Sequence, residues 1–171
     1  DFHPDGQYPA RPECRNPMTS KQCHMRQADR IECGHHSTDL FADATAEFLR
    51  NRDRDKPFFA YLSFMAPHDP RIMPQTYLDR YADADLPVPA NALPEHPFDN
   101  GELTVRDEKL EAWPRTPEAI RGHLRDYYAM ITHLDDAMGR VLATLEETGC
   151  AENTIIVFAG DNGLALGQHG L

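Results

Sequence analysis

The sequence predicts an α/β fold, a mostly parallel β-sheet flanked by helices, and three observations carry that expectation. Two runs of strand length, "PFFAYLSFM" and "TIIVFAG", are apolar on both faces. That pattern suits strands inside a parallel sheet covered on both sides better than half-exposed ones. An amphipathic helical stretch precedes each run. The order helix, strand, long insertion, helix, strand then follows the grammar of a sheet whose strands are linked by crossover helices.

Taken in chain order, residues 1–36 are rich in Pro, Arg, Gln, Cys and His, show no period and read as an irregular surface segment. From residue 37 to residue 171 the chain changes character and reads as one domain with a long insertion. In "STDLFADATAEFLRNRDRDK", Ser37 or Thr38 is suited to cap a helix and Asp39 to its first turn. Leu40, Phe41, Ala44, Phe48 and Leu49 make its predicted apolar face, and "RNRDRDK" ends it in solvent. The strand Pro57–Met65 follows, and the prolines of "APHDPRIMP" stop it. Residues 74–117 form a long, proline-punctuated insertion with one short helix, "QTYLDRY". Loops of such length often line functional sites, and Leu86, Val88, Leu93, Phe98 and Trp113 argue against a free linker. The clearest helix opens with Thr116 as cap, Pro117 at its first position and Glu118 in its first turn. Its stripe is Leu124, Tyr127, Ile131, Leu134, Met138, Val141, Leu142 and Leu145, with Gly149 at its end. His123 and His133 lie off that stripe and read as solvated. "NTIIVFAGDNG" is the second strand with its following turn.

Composition bounds the function. With 171 residues, 40% apolar and 26% charged, the chain has the makeup of a globular domain. A net charge of −11 argues against nucleic acid, whose binding rests on Lys and Arg neutralising phosphates. It also means that an anionic substrate needs cations or a metal gathered in one place. No apolar run is long enough to span a bilayer. "DFHPDGQYPA" has neither the basic start nor the apolar stretch of a signal peptide, and Asp1 in place of Met leaves open what precedes it. The four cysteines, Cys14, Cys23, Cys33 and Cys150, form no CxxC pair and no disulfide framework. "CGHHS" reads as a polar loop, since Cys33 and His35 alone are too close together and too few to bind zinc.

Ligands of open parallel sheets bind beyond the carboxyl ends of the strands. One strand delivers His68, Asp69 and Arg71 there, and the other delivers Asp161 and Asn162. A carboxylate and a side-chain amide both offer oxygen, which Ca²⁺ or Mg²⁺ prefers, and Gly160 and Gly163 would let the backbone turn beside the ion. Asp-Asn-Gly alone is most simply a turn. Its place directly after a buried strand moves the reading to Asp161 and Asn162 as metal ligands. His68, stiffened by Pro67, could donate a proton to a leaving oxygen or stabilise charge beside a metal-bound anion. Asp69 and Arg71 could pair at the surface and receive no catalytic role.

"PFFAYLSFMAPHDPR", "YYAMITHLDDAMGRVLATLEETG" and "NTIIVFAGDNGLALGQHGL" together resemble consecutive landmarks of the sulfatases, in the alkaline phosphatase superfamily, from about Ser37 to Leu171. The resemblance implies a sulfuric ester hydrolase with one calcium ion, acting on a small-molecule or carbohydrate sulfate ester. In it Asp161 and Asn162 match the second pair of metal ligands, His68 the active-site histidine, and His169 of "GQHG" a loop-shaping residue. Residues 1–36 show no matching landmark. The family's early paired acids have no counterpart in this sequence. The same holds for its Cys or Ser before x-Pro-x-Arg, which becomes formylglycine: "CRNPM", "CHMRQ", "CGHHS" and "CAENT" all fail that pattern. The family's lysine after the "EHG"-like stretch would fall past Leu171. The expectation is an incomplete domain from a longer sulfatase, inactive alone. Its alternatives are a phosphodiesterase or phosphonate monoester hydrolase of the same superfamily, or a non-catalytic sulfatase-like domain.

Overall fold

The computed structural model describes residues 35–68, 71–99, 101, 103 and 111–171. Cys14, Cys23, Cys33 and Asp69 lie outside the described residues, and so does all but the last two positions of the segment 1–36. Two helices form the body, α1 (Ser37–Asn51) and the long α3 (Pro117–Glu147), with a short α2 (Gln75–Asp79) between them in sequence.

Helix α1 begins one residue earlier than its serine suggests. His36 is the cap: its backbone is extended and its ring Nδ1 accepts the Thr38 N–H at 3.0 Å. The buried face is Thr38, Ala42, Ala46 and Leu49, not the face centred on Phe41 and Phe48, which stay 36% and 44% exposed. The physical reason is the partner. Ala42 and Ala137 are fully buried where α1 meets α3, so small residues occupy the close contact while the large ones stay at its edge. The tail of α1 is also tied down rather than wholly solvated. Arg50 donates to Thr144 and Glu147, and Arg52 lies over the Phe58 ring and donates to the Cys150 sulfur.

Helix α3 starts as its sequence predicts, with the Thr116 hydroxyl accepting the Ala119 N–H at 3.1 Å and Pro117 at the first turn. Its end is set by Gly149 at φ 70°, with the Gly149 and Cys150 N–H groups returning to Glu146 and Leu145 carbonyls. Leu124, Leu134, Val141 and Leu145 are buried as the stripe requires. Leu142 is 43% exposed, and His133, read as solvated, is buried at 1%. The seam has drifted onto Ala129, Met130, His133 and Ala137 because α3 packs against α1 and α2 at once, and these residues face that junction.

The two strand-like runs are extended but unpaired among the described residues, where the one ladder contact is the isolated antiparallel bridge Ala92–Gln168. In the first run, alternate residues Phe58, Leu62 and Phe64 pack on the α1–α3 core, while Phe59, Tyr61 and Met65 are 87%, 84% and 63% exposed. That period of two is strand geometry, with one face covered. In the second run Ile155, Val157 and Phe158 are at least 78% exposed. Among the described residues no helix is long and apolar enough to cross a membrane.

The insertion crosses back to the end of the chain. Ala92 bridges Gln168, the His169 N–H donates to the Asn91 carbonyl at 2.9 Å, and the Asn91 amide meets His169 Nε2 at 3.0 Å. The His96 Nδ1–H donates to the His169 carbonyl at 2.7 Å. Gly170, at φ 80°, lies directly on the backbone of Glu95 and His96, where any Cβ would overlap. Thus residues 91–96 and 165–171 form a latch.

Candidate functional site

His68 stands in the turn closing the first extended run, where its N–H donates to the Met65 carbonyl at 3.0 Å, and it is exposed. Arg71 donates to His123 Nδ1, and the suggested pairing with Asp69 lies outside the described residues. The opposite nitrogen of His123 donates to Glu111 at 3.0 Å, so that half-buried histidine is held between two charged side chains, not solvated.

Asp161 and Asn162 follow the second extended run and are exposed. The Asn162 N–H donates to Asp161 Oδ1 at 3.0 Å, and the Asn162 side-chain N–H donates to the Gly163 carbonyl at 3.2 Å. Committing that amide nitrogen leaves the Asn162 oxygen as the group with acceptor capacity. The pair therefore presents carboxylate and amide oxygens, the donor set of a hard cation. Calcium, which the family resemblance implies, fits this donor chemistry, although two side chains are too few to enclose it. Gly160 and Gly163 do not take the left-handed backbone the sequence reading allowed them. Those conformations fall later, at Leu166, Gly167, His169 and Gly170, where the latch turns the chain.

A third group of ligand-capable residues escaped the sequence reading. His36, Asp39 and His133 bring ligand atoms within 4.8 Å of one another. Asp39 accepts from His133 Nε2–H at 2.9 Å and from Arg140 at 2.7 Å. The His36 ring lies edge-on to His133 at 4.6 Å, and Tyr77 covers His133 at 4.6 Å. His36 has both nitrogens engaged, one by Thr38 N–H and the other donating to the Ile72 carbonyl at 2.9 Å. A metal would have to break the helix cap or the Ile72 bond, so the arrangement is a hydrogen-bonded clasp joining α1, α3 and the segment before α2. Burial pushes the Asp39 carboxyl up, but the His133 and Arg140 hydrogen bonds outweigh it and hold the group at about 2. Burial also lowers His36, against the opposing effect of the Ile72 carbonyl. The sequence signal was available in part: Asp39 in a first turn and His133 on a helix could have been paired, but only the crossing of α1 and α3 brings them together.

The solved structure of a sulfatase, yidJ, from Bacteroides fragilis superposes with a TM-score of 0.63 at 26% identity, covering 81% of this chain and 28% of that one. That likeness supports an alkaline phosphatase-like α/β fold for the chain, although no sheet is formed among the described residues, and it defines the class as that superfamily. Within it, the chain belongs to the sulfatase family: the family model described as Sulfatase matches residues 4–171. The match reaches into the first 36 residues, where the sequence reading found no landmark. An arylsulfatase of Clostridium perfringens (strain 13 / Type A) is 37% identical over 78% of this chain and 28% of its own length. The multifunctional alkaline phosphatase superfamily protein PehA of Trinickia caryophylli is 32% identical over 77% of this chain and 28% of its own length. This chain therefore spans well under half the length of these curated relatives.

Proposed function

We propose that this chain supplies one part of the active site of a sulfate-ester hydrolase. The observation that carries the reading is the Asp161–Asn162 pair at the exposed end of an apolar extended run, its amide nitrogen committed so that its oxygens offer a hard-cation donor set. Asp161 and Asn162 would hold a calcium ion together with further oxygen ligands from the rest of the protein. When bound, that ion supplies positive charge against the sulfate oxygens, which also answers the repulsive background of −11. His68 would hold a proton on its imidazole and deliver it to the departing alcohol oxygen. No Cys or Ser in these 171 residues precedes x-Pro-x-Arg, so the reading assigns a formylglycine nucleophile to a part of the protein beyond this chain. It requires His68 and the Asp161–Asn162 pair to lie on one rim of a shared sheet.

The test is turnover of nitrophenyl sulfate by the whole protein that contains this chain. His68→Ala is expected to lower kcat by roughly 10²-fold, the usual worth of a positioned proton donor. Asp161→Ala is expected to abolish the calcium dependence. Undiminished sulfate turnover in both variants would remove these residues from the site. Similarity to a protein described as a multifunctional member of the alkaline phosphatase superfamily keeps a second reading within that superfamily, a phosphodiesterase or phosphonate monoester hydrolase, and faster cleavage of a nitrophenyl phosphate diester than of the sulfate would establish it over the sulfatase. Calorimetry on the 171-residue chain should show calcium binding no tighter than about millimolar, as expected of a site with too few ligands. Tight binding lost on Asp161→Ala would show that the chain holds more ligands than this pair.

A further inference from the structure

His68 belongs to a turn whose two feet rest on one support. Ala66 before it and Met73 after it both pack with Ala129 and Met130 of α3. Ile72 and Met73 are buried, whereas His68 is exposed. Apolar packing of the feet roots the turn, but it is non-directional and does not set the turn's orientation. Hydrogen bonds do. On the near side the His68 N–H donates to the Met65 carbonyl at 3.0 Å. On the far side the Arg71 side chain donates to His123 Nδ1 on α3, and the Ile72 carbonyl accepts from His36 Nε2–H at 2.9 Å.

Of these ties, the one from His36 joins two buried groups, so breaking it strands a carbonyl away from water. The ring's tautomer is dictated by its two neighbours. The Thr38 N–H only donates, so Nδ1 carries the lone pair; the Ile72 carbonyl only accepts, so Nε2 carries the hydrogen. One imidazole therefore caps α1 with one nitrogen and holds the turn with the other. His133 stands edge-on to that ring at 4.6 Å and is itself bonded to Asp39, so α3 helps to fix the plane of the His36 ring. A helix cap alone needs only an acceptor, which Ser, Thr, Asn or Asp supplies. Histidine adds a donor on the opposite edge of the same ring, and that donor is what Ile72 uses.

We propose that His36 is a positioning residue for His68: from the N-terminus of α1 it binds the Ile72 carbonyl and so holds the turn that presents the His68 imidazole. That His68 delivers a proton rests on the reading above; that His36 holds its turn does not.

Two substitutions separate the two bonds, because an Asn amide occupies the place of Nδ1 and a Gln amide reaches the place of Nε2. In the whole protein that contains this chain, hydrogen exchange resolved to single amides reads each bond: the Thr38 amide reports the cap and the His68 amide reports the turn. His36→Asn should lower protection of the His68 amide by about ten-fold and leave that of Thr38 within about two-fold. His36→Gln should do the reverse. Turnover of nitrophenyl sulfate should follow the His68 amide: His36→Asn lowers kcat by about ten-fold with KM within about two-fold, and His36→Gln keeps kcat within about three-fold. In a His68→Ala background, His36→Asn should lower kcat by less than about two-fold, since it acts through the residue already removed. Unchanged protection of the His68 amide in His36→Asn overturns the proposal, as does movement of both amides together in both variants. So does a ten-fold kcat loss that is equally large with and without His68. Unimpaired turnover in His68→Ala ends the proton-delivery reading alone, because exchange at the His68 amide decides the role of His36 without any turnover.

Discussion

Replacing Asp39 with alanine tests how the clasp joins α1 to α3. Asp39 accepts from a fully buried donor, His133 Nε2–H, and from the half-exposed Arg140. Its carboxyl sits at about 2 in place of the ordinary 3.8, a displacement that converts to roughly 2 kcal/mol before screening. Because the carboxylate is about a third exposed, solvent screening reduces that share to about 1 kcal/mol. Removing it also strands the His133 N–H at 1% exposure, which costs a further 1–3 kcal/mol, roughly. Asp39→Ala should therefore cost about 3 kcal/mol, measured by urea unfolding followed through helical circular dichroism. Asp43, 3.7 Å from the same Arg140 but 70% exposed, supplies the contrast: Asp43→Ala should cost less than about 0.5 kcal/mol. The sign with pH follows from the lowered carboxyl. The contribution is complete above pH 3.8 and is lost as pH falls through about 2, so the Asp39→Ala cost should be equal at pH 5 and pH 7. A cost below about 1 kcal/mol, or one equal to that of Asp43→Ala, would refute the clasp as a stabilising unit.

Three further outcomes can be checked on the same chain. His36 is lowered by burial, so the unfolded chain takes up its proton first; stability should fall as pH drops below 6.5, and His36→Asn, which can still cap α1, should flatten that fall in the urea midpoint. Thr38 is fully buried and its hydroxyl has no hydrogen-bond partner, so Thr38→Val should raise stability by about 1 kcal/mol, and a loss of that size would reveal a partner for the hydroxyl. Gly170→Ala must place a Cβ into the backbone of Glu95 and His96 from a left-handed conformation, so it should open the latch and remove hydrogen-exchange protection from the His169 amide; retained protection would mean the two segments are held by something other than this contact.

The candidate site was legible where chemistry is local. An acid and an amide after an apolar run identify themselves as oxygen donors, and the hydrogen bonds of Asn162 to Asp161 and Gly163 are made within one or two residues. Whether His68 shares their rim is a long-range relation between two extended runs, and such a relation is decided by strand pairing. His123 and His133 were misread for the same reason in reverse. Their spacing on α3 sets them off the apolar stripe, yet Glu111, Arg71 and Asp39 arrive from elsewhere in the chain and convert them into held or buried groups.

From the sequence alone came the elements with their own local causes: the capped start of α3 at Thr116 and Pro117, its glycine stop, the short α2, and the two runs of strand-like residues. Backbone capping, fixed proline geometry and hydrophobic period act within a few residues, so a linear reading captures them. Tertiary structure alone decided which face of α1 is buried, that His36 caps it, and that the insertion latches onto residues 165–171. Those outcomes depend on which side chains are small enough to let α1 and α3 meet, and on glycine at the one position where Glu95 and His96 leave no room for a Cβ.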